Sequence, residues 1–347
     1  VRVSFTPSVL SDARYFSVLD VVALLVEEER HVVDADTLQA IERSEWVAQR
    51  PSDLYEFLEH VALAASYTPR DHRSIVEIDD AAPIGGEYLE SAGVRRTRVR
   101  PLEALLFLST PFQIVVENEE YDGAFLLWMS RLLSQPRLLK AYRQQRFVFR
   151  HAGGKDSIVR SMRIFSAGIW ARSDGRYRRD FRMWLGAFLD NDAKHGADDP
   201  NADIVRQAGQ LGIFTHQLSK RSIESYLPQS ALLARDRSRD FKRKVEALFR
   251  MTVEQRRHYH MKRGFRIEKR PVSKADYFAS AAISSEEKAL YGSVSEQDWV
   301  LLAEGFGSGL SSIFVEETGR PDQRMTVAHT DDAVELGGLI DAICEAL

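Results

Sequence analysis

Three carboxylates carry the chemistry this chain could perform. Glu117 closes the β-branched run FQIVVE, and Asp190 and Asp192 close FRMWLGAFLDND. In an extended strand, residues two apart point to the same side. Both aspartates would then face one point just beyond the strand end. If the two strands are neighbours, Glu117 joins them. Carboxylates gathered in this way repel one another unless cations sit among them. Mg2+, or Mn2+ in its place, suits an all-oxygen site that retains some waters. Two such ions about 3.5–4 Å apart can hold the attacking and leaving oxygens of an in-line phosphoryl displacement.

The elements that must position these groups read as alternating strands and helices. FQIVVE is a strand of the buried type. YDGAFLLWMSRLLSQP follows as a helix, with Phe125, Trp128, Met129, Leu132 and Leu133 on one face, and stops before Pro136. RFVFRH is a second strand and GGKDSIVRSMRIFSAG a glycine-led helix. FRMWLGAFLDND ends a third strand, NADIVRQAGQLG is a helix and IFTHQL a fourth strand. This alternation predicts an α/β fold with a mostly parallel, doubly wound sheet, whose ligands sit at the carboxyl ends of the strands.

On either side the pattern turns helical. Residues 1–110 hold SVLDVVALLVEEERHVV and PSDLYEFLEHVALAASY, each with apolar residues at three- and four-residue steps. The stretch TPRDHRSIVEIDDAAPIGGEYLESAG is rich in turn formers and reads as a loop or short hairpin. Residues 229–347 read as helical again, with RSRDFKRKVEALFRMTVEQRRHYHMKRGF a long basic helix interleaved with aromatics. The expected organisation is an N-terminal helical region (1–110), an α/β core (111–228) and a C-terminal helical region (229–347).

VVEN, then HAGGKD, then FLDND follow the order and spacing of the TOPRIM domain, which this stretch resembles over about 111–228. That family includes topoisomerases, bacterial primases and the overcoming-lysogenization-defect (OLD) nucleases. By the resemblance, Glu117, Asp190 and Asp192 are metal ligands, and the family's glycine after the second strand falls on Gly153 or Gly154. The sequence departs from the pattern in two places. Asn118 stands where the family has Gly. The second acid, four residues after the glutamate in the family, is replaced by Tyr121, with Asp122 one position later. Glu119, Glu120 or Asp122 could supply that carboxylate, and Asp122 could equally be the N-cap of the next helix. LSKRSIESYLP, residues 218–228, is similar to a Lys/Arg-x-x-Glu-x-Tyr-Leu stretch of OLD-type and related defence nucleases. The resemblance makes Glu224 a further metal-shell acid and Lys220 or Arg221 a phosphate contact; an ordinary helix start with solvated charges is the alternative. Lys262 lies after the core, as a catalytic lysine does in OLD-like nucleases. Lys155, in GGKD, is either an anion contact at a helix start or a surface lysine. His151, His195, His216, His258 and His260 have no metal-ligand spacing and read as solvated or core residues.

Charge is distributed unevenly. Residues 1–120 carry 11 Lys+Arg against 22 Asp+Glu, whereas 131–182 carry 14 against 3 and 231–270 carry 14 against 5. Two basic stretches on an otherwise acidic chain suggest a nucleic-acid track. The chain has 347 residues and one cysteine, Cys344, so no disulfide framework or zinc knuckle can be built. No apolar run reaches membrane-spanning length and no secretory signal is visible, which points to the cytoplasm and away from membranes. GFGSG lacks the Lys-Ser/Thr ending of a phosphate loop, so an ATPase must be another chain. The resulting expectation is a Mg2+- or Mn2+-dependent endonuclease acting on nucleic acid, DNA ahead of RNA. It would serve a bacterial anti-phage or anti-plasmid system beside an ATPase subunit, with self-association open. The rival is a non-catalytic TOPRIM docking or sensor subunit.

Overall fold

In the first sheet, strands two to six residues long bury Val3, Phe5, Val76, Ile78 and Val99 on the core side and carry arginine–carboxylate pairs between β3, β4 and β5. The computed structural model describes residues 1–28, 30–67, 74–167, 180–317 and 330–347. Strands β1 (Arg2–Phe5), β2 (Val32–Val33), β3 (Ser74–Ile78), β4 (Glu87–Ser91) and β5 (Val94–Val99) form a sheet of order β2-β1-β3-β5-β4. All its pairings are parallel except the β4–β5 hairpin. Helices α1 (Phe16–Glu27), α2 (Pro51–Tyr67) and α3 (Pro101–Ser109) belong to the same unit. The expectation of a helical N-terminal region is therefore corrected: the helices are there, but a five-stranded sheet lies among them. Its strands escape a periodicity reading for a physical reason. VRRTRV alternates, but Arg96 pairs with Glu77, and Arg98 with Asp79 and Glu87, so the strand looks like a charged loop. The hairpin turn is Ala92-Gly93, both at positive φ, which suits a two-residue turn.

The second sheet is the predicted one. Strands β6 (Phe112–Val116), β7 (Phe147–His151), β8 (Leu185–Leu189) and β9 (Phe214–Gln217) are all parallel, in the order β7-β6-β8-β9. Helices α4 (Glu119–Leu132) and α5 (Pro136–Arg143) connect β6 to β7; α6 (Ile158–Ala167) follows β7, and α7 (Ala202–Gln210) follows β8. Period-two alternation sorts the side chains. Phe112, Ile114, Val116 and Phe188 enter one core with α4 and the C-terminal helices, whereas Val115, Leu185, Ala187 and Leu189 enter another with α6 and α7. Gly186 makes room in the middle: a Cβ there would sit 3.2 Å from both Phe112 and Phe214, so one of the rings would have to shift by a few tenths of an ångström. The two units interlock, because Phe181, Met183 and Trp184, just before β8, are buried in the N-terminal core, with Phe181 stacked on Phe107.

The C-terminal region is built of short helices around an aromatic nucleus in which Phe265 stacks on Trp299 at 3.7 Å. The expected long basic helix is two: α8 (Arg239–Arg250) and α9 (Val253–His258). Met251 is extended, and Thr252 with Gln255 forms a capping box that starts α9 afresh. Helices α10 (Ser312–Glu317) and α11 (Thr330–Ala346) complete the region, and α11 packs against α4 and α5. Among the described residues, no helix is long and apolar enough to cross a membrane.

His31 gives the N-terminal unit a pH response. Its Nε2 donates to the Leu108 carbonyl at 2.7 Å, and its buried Nδ1 has no partner. Burial pushes its pKa down to about 3, only partly opposed by the Leu108 carbonyl. The folded chain thus holds fewer protons than the unfolded chain between about 3 and the ordinary histidine value near 6.5. His31 contributes stability above that ordinary value, and the contribution is lost as pH falls. His31→Gln keeps a donor toward Leu108 without the titration. The melting temperature of the variant should fall less than that of wild type between pH 6.5 and pH 4; equal slopes would rule this out.

Candidate active site

The carboxyl ends of β6 and β8 form the crossover point of the second sheet. From β6 the chain leaves toward β7 on one side, and from β7 it returns to β8 on the other. A crevice opens at such a reversal. Glu117 follows β6 directly and is exposed; Asp190 follows β8 directly.

The loop after β8 brings its aspartates together by a route that differs from the extended-strand argument. The strand ends at Leu189, and Asp192 lies at φ +60, a left-handed conformation uncommon for a residue with a side chain. Surrounding bonds hold it there. Asp192 N donates to Arg221 O at 2.8 Å, and Asn191 Nδ2 to Leu218 O at 2.8 Å. Asn201, fully buried, donates to the carbonyls of Asp190 (2.6 Å) and Asn191 (3.0 Å). Asp190 Oδ1 accepts from Ile223 N at 3.0 Å, tying the β8 loop to the segment that carries Glu224.

Asp122 enters from the first turn of α4. The N-cap is Asn118, whose Oδ1 accepts from Tyr121 N at 3.0 Å, and Asp122 Oδ2 reciprocates by accepting from Asn118 N at 2.9 Å. The N-cap alternative for Asp122 is thereby corrected: it closes the capping exchange from inside the helix. Gly123 beside it lets α4 come close to β7, since a Cβ there would meet the Phe149 ring at 2.8 Å. Glu119 and Glu120 are exposed on the same turn.

Glu224 arrives on the one-turn helix Ile223–Tyr226 and is wholly buried. Its Oε1 receives Lys262 Nζ at 2.9 Å and the Ser311 hydroxyl, and its Oε2 is buried without a partner. Lys262 is about two-fifths exposed, so its ammonium lies between the buried carboxylate and solvent. Lys155, in the turn made by Gly153 and Gly154 at positive φ, donates to Asp192 at 2.8 Å.

The electrostatics agree with this grouping. Burial pushes Asp122 up to about 7; the Asn118 amide opposes the rise, and the charges of Glu117 and Glu224 add to it. Asp190 lies well above its ordinary value, first from burial, then from Asp122, Glu224 and Asp192. Burial alone would raise Glu224, but the Lys262 ammonium and hydroxyls led by Ser311 hold it below. Burial alone would lower Lys262; Glu224, then Asp190 and Asp122, raise it instead.

The remaining predicted residues sort plainly. Lys220 is buried, paired with Asp332 at 2.6 Å and set over the Tyr226 ring, which corrects its assignment as a phosphate contact. Arg221 donates to His258 O at 3.0 Å. His258 is buried between Ala193 O and Glu254. His260, pushed down to about 4 by burial and then by Arg221, Arg263 and Lys262, stands near Asp192. Asn201, Ser311 and His260 have no signal in the sequence that marks them.

Among the described residues, no three His, Cys, Asp or Glu side chains are closed into a cation-holding group. The donor set nonetheless fits a hard divalent cation in kind: it is all oxygen, it has an orphaned buried oxygen at Glu224, and its crowded carboxylates would be relieved by positive charge. Asp192 and Glu224 are turned toward Lys155 and Lys262. No family model matches the chain, and no curated protein or solved structure is significantly similar to it.

Proposed function

We propose that this cluster is the centre of a divalent-metal-dependent endonuclease of TOPRIM type. One observation carries the reading. Asp122, Asp190, Asp192 and Glu224, from three separate chain segments, gather with Lys262 beyond the carboxyl ends of a parallel sheet at its crossover point. Glu117, Asp122, Asp190, Asp192 and Glu224 would hold Mg2+ or Mn2+. Such a cation, when bound, supplies charge neutralisation at the phosphate and a more acidic water. The chain's own groups do the rest. Asn191, Asn201 and the Ile223 amide fix the loop that carries the two aspartates. Lys262 and Lys155 face the cluster from opposite segments and would neutralise charge on a phosphodiester entering between them. The substrate is nucleic acid, DNA ahead of RNA. A role in anti-phage or anti-plasmid defence beside a separate ATPase extends this reading by the resemblance alone.

The second reading is a non-catalytic docking or sensor subunit. It is favoured by the two lysines already paired with Asp192 and Glu224, in an arrangement not closed around a cation among the described residues. Electron paramagnetic resonance of Mn2+ titrated into the protein, with nicking of supercoiled plasmid followed in parallel, separates the two. The nuclease reading expects saturable Mn2+ binding and metal-dependent nicking. Neither signal, from a chain that melts cooperatively, would leave the docking reading.

A further inference from the structure

The segment that carries Glu224 is held at both ends by one carboxylate from the far end of the chain. On α11, Leu336, Leu339, Ile340 and Ile343 are buried in the core shared with α4. Asp332 and Glu335, three residues apart on one face, reach from that helix to residues 216–226. Glu335 Oε1 accepts from Ser219 N at 2.7 Å, and Oε2 accepts from Ser219 Oγ at 2.6 Å and from Tyr226 Oη at 2.8 Å. His216 Nε2 lies 3.4 Å from the same carboxylate. Asp332 binds Lys220 Nζ at 2.6 Å, both side chains under a tenth exposed, and Lys220 Nζ also donates to Ser225 O at 3.2 Å. Ser219 and Tyr226 are thus drawn onto a single carboxylate, and the chain between them is closed into a ring. Inside that ring stand the atoms the acid cluster depends on: Ile223 N on Asp190, Arg221 O beneath Asp192 N, and the Glu224 side chain facing Lys262.

We propose that Glu335 and Asp332 are positioning residues for the acid cluster, a latch through which α11 sets Glu224 and the β8 loop in their relative places. Neither side chain touches the cluster. Each acts through the ring 219–226, as groups behind a first coordination shell orient the ligands in front of them. The latch stands on the geometry above; its consequence for cation binding rests on the nuclease reading.

The test uses the full chain, with hydrogen exchange resolved by peptide and Mn2+ binding measured on the same samples. Glu335→Gln keeps the shape and removes the charge that Ser219 and Tyr226 face. Exchange across 218–226 should quicken about tenfold or more while β6 and β7 keep their protection, and Mn2+ affinity should weaken by about tenfold, the scale on which outer-shell partners act. Val334→Ala, on the exposed side of the same helix, should move neither. Unchanged exchange in 218–226 overturns the latch, and so does loosening spread equally over both sheets. Faster local exchange with undiminished Mn2+ affinity overturns the positioning role. If Glu335→Gln does not fold, Ser219→Ala removes one donor and is read in the same two ways, with smaller shifts expected. A wild-type chain that binds no Mn2+ defeats the nuclease reading and leaves exchange to decide the latch.

Discussion

Replacing Asp190 by asparagine should abolish metal-dependent cleavage while leaving the metal-free protein as stable as wild type, or more so. The two halves of this expectation have one cause. Asp190 is crowded by Asp122, Glu224 and Asp192 in a site that strips water from its charge, so its ionised form strains the folded state. Asparagine has nearly the same shape, and its oxygen can still accept from Ile223 N, the bond that ties the β8 loop to the Glu224 segment. What it lacks is the charge a cation requires. Cleavage should fall at least about 100-fold, the upper end of what outer-shell losses produce, and Mn2+ binding should fall with it. Asp192→Asn should show the same loss of activity with stability within about 0.5 kcal/mol of wild type, because its partner Lys155 is partly exposed and such pairs contribute little. Thermal melts without metal, Mn2+ titration and plasmid nicking together make the measurement. Full activity in either variant with unchanged metal dependence would remove that aspartate from the proposed metal site and overturn the assignment of the pair.

The contrast between the two sheets shows what a sequence reveals. In the second sheet, FQIVV, FVF and LGAFL are apolar runs that announce buried strands, and the turn residues between helix and strand fall where the chain turns. Asp190 was therefore legible as a strand-end acid. Asp192 was legible only as a neighbour, since its backbone leaves the extended region and its place is set by Arg221 O, 29 residues on. The first sheet was hidden because β2 is two residues long and half of β5 is arginine, with Arg96 and Arg98 accommodated by pairing with Glu77, Asp79 and Glu87. Asn118 and the one-residue displacement of Asp122 looked like departures from a motif. The structure gives them a joint cause, a reciprocal cap in which each binds the other's turn. Ser311, Asp332 and Glu335 lay beyond reach, because nothing local encodes a partner 87 to 116 residues away.

The basic stretches illustrate a different limit. Net charge counts side chains without asking what they already hold. Arg250 is paired with Asp298, Arg257 with Glu254 and Arg235 with Glu316, while Arg256 donates to the Met251 carbonyl at 2.6 Å. Much of the positive balance of 231–270 is therefore engaged within the fold. Arg172, Arg176, Arg178 and Arg179 of the other stretch lie outside the described residues. Among the described residues, the cations paired with acids of the cluster are Lys155, on Asp192, and Lys262, on Glu224.

Lys262→Met should cost nearly all cleavage and little substrate binding. Among the described residues it is the cation paired with Glu224, and its side chain is about two-fifths exposed while that carboxylate is wholly buried, so a phosphodiester approaching from solvent would meet the lysine first. A charge so placed acts most strongly on charge that develops during reaction, and losing one such contact costs on the order of 100- to 1,000-fold in kcat. Lys262→Arg should lose most activity too, since a planar fork cannot put a point charge where the ammonium sits. Arg263→Ala should be mild. Two effects must be separated, because removing Lys262 also leaves the Glu224 charge buried with only hydroxyl support. The double variant Lys262→Met/Glu224→Gln separates them: it should regain thermal stability relative to Lys262→Met alone and regain no cleavage. Fluorescence anisotropy of labelled DNA in Ca2+ reads binding, and single-turnover nicking in Mg2+ reads the chemical step. If Lys262→Met cleaves at the wild-type rate, or if its whole defect is weaker DNA binding, Lys262 is a structural counter-ion for Glu224, and the catalytic cation must be sought at Lys155.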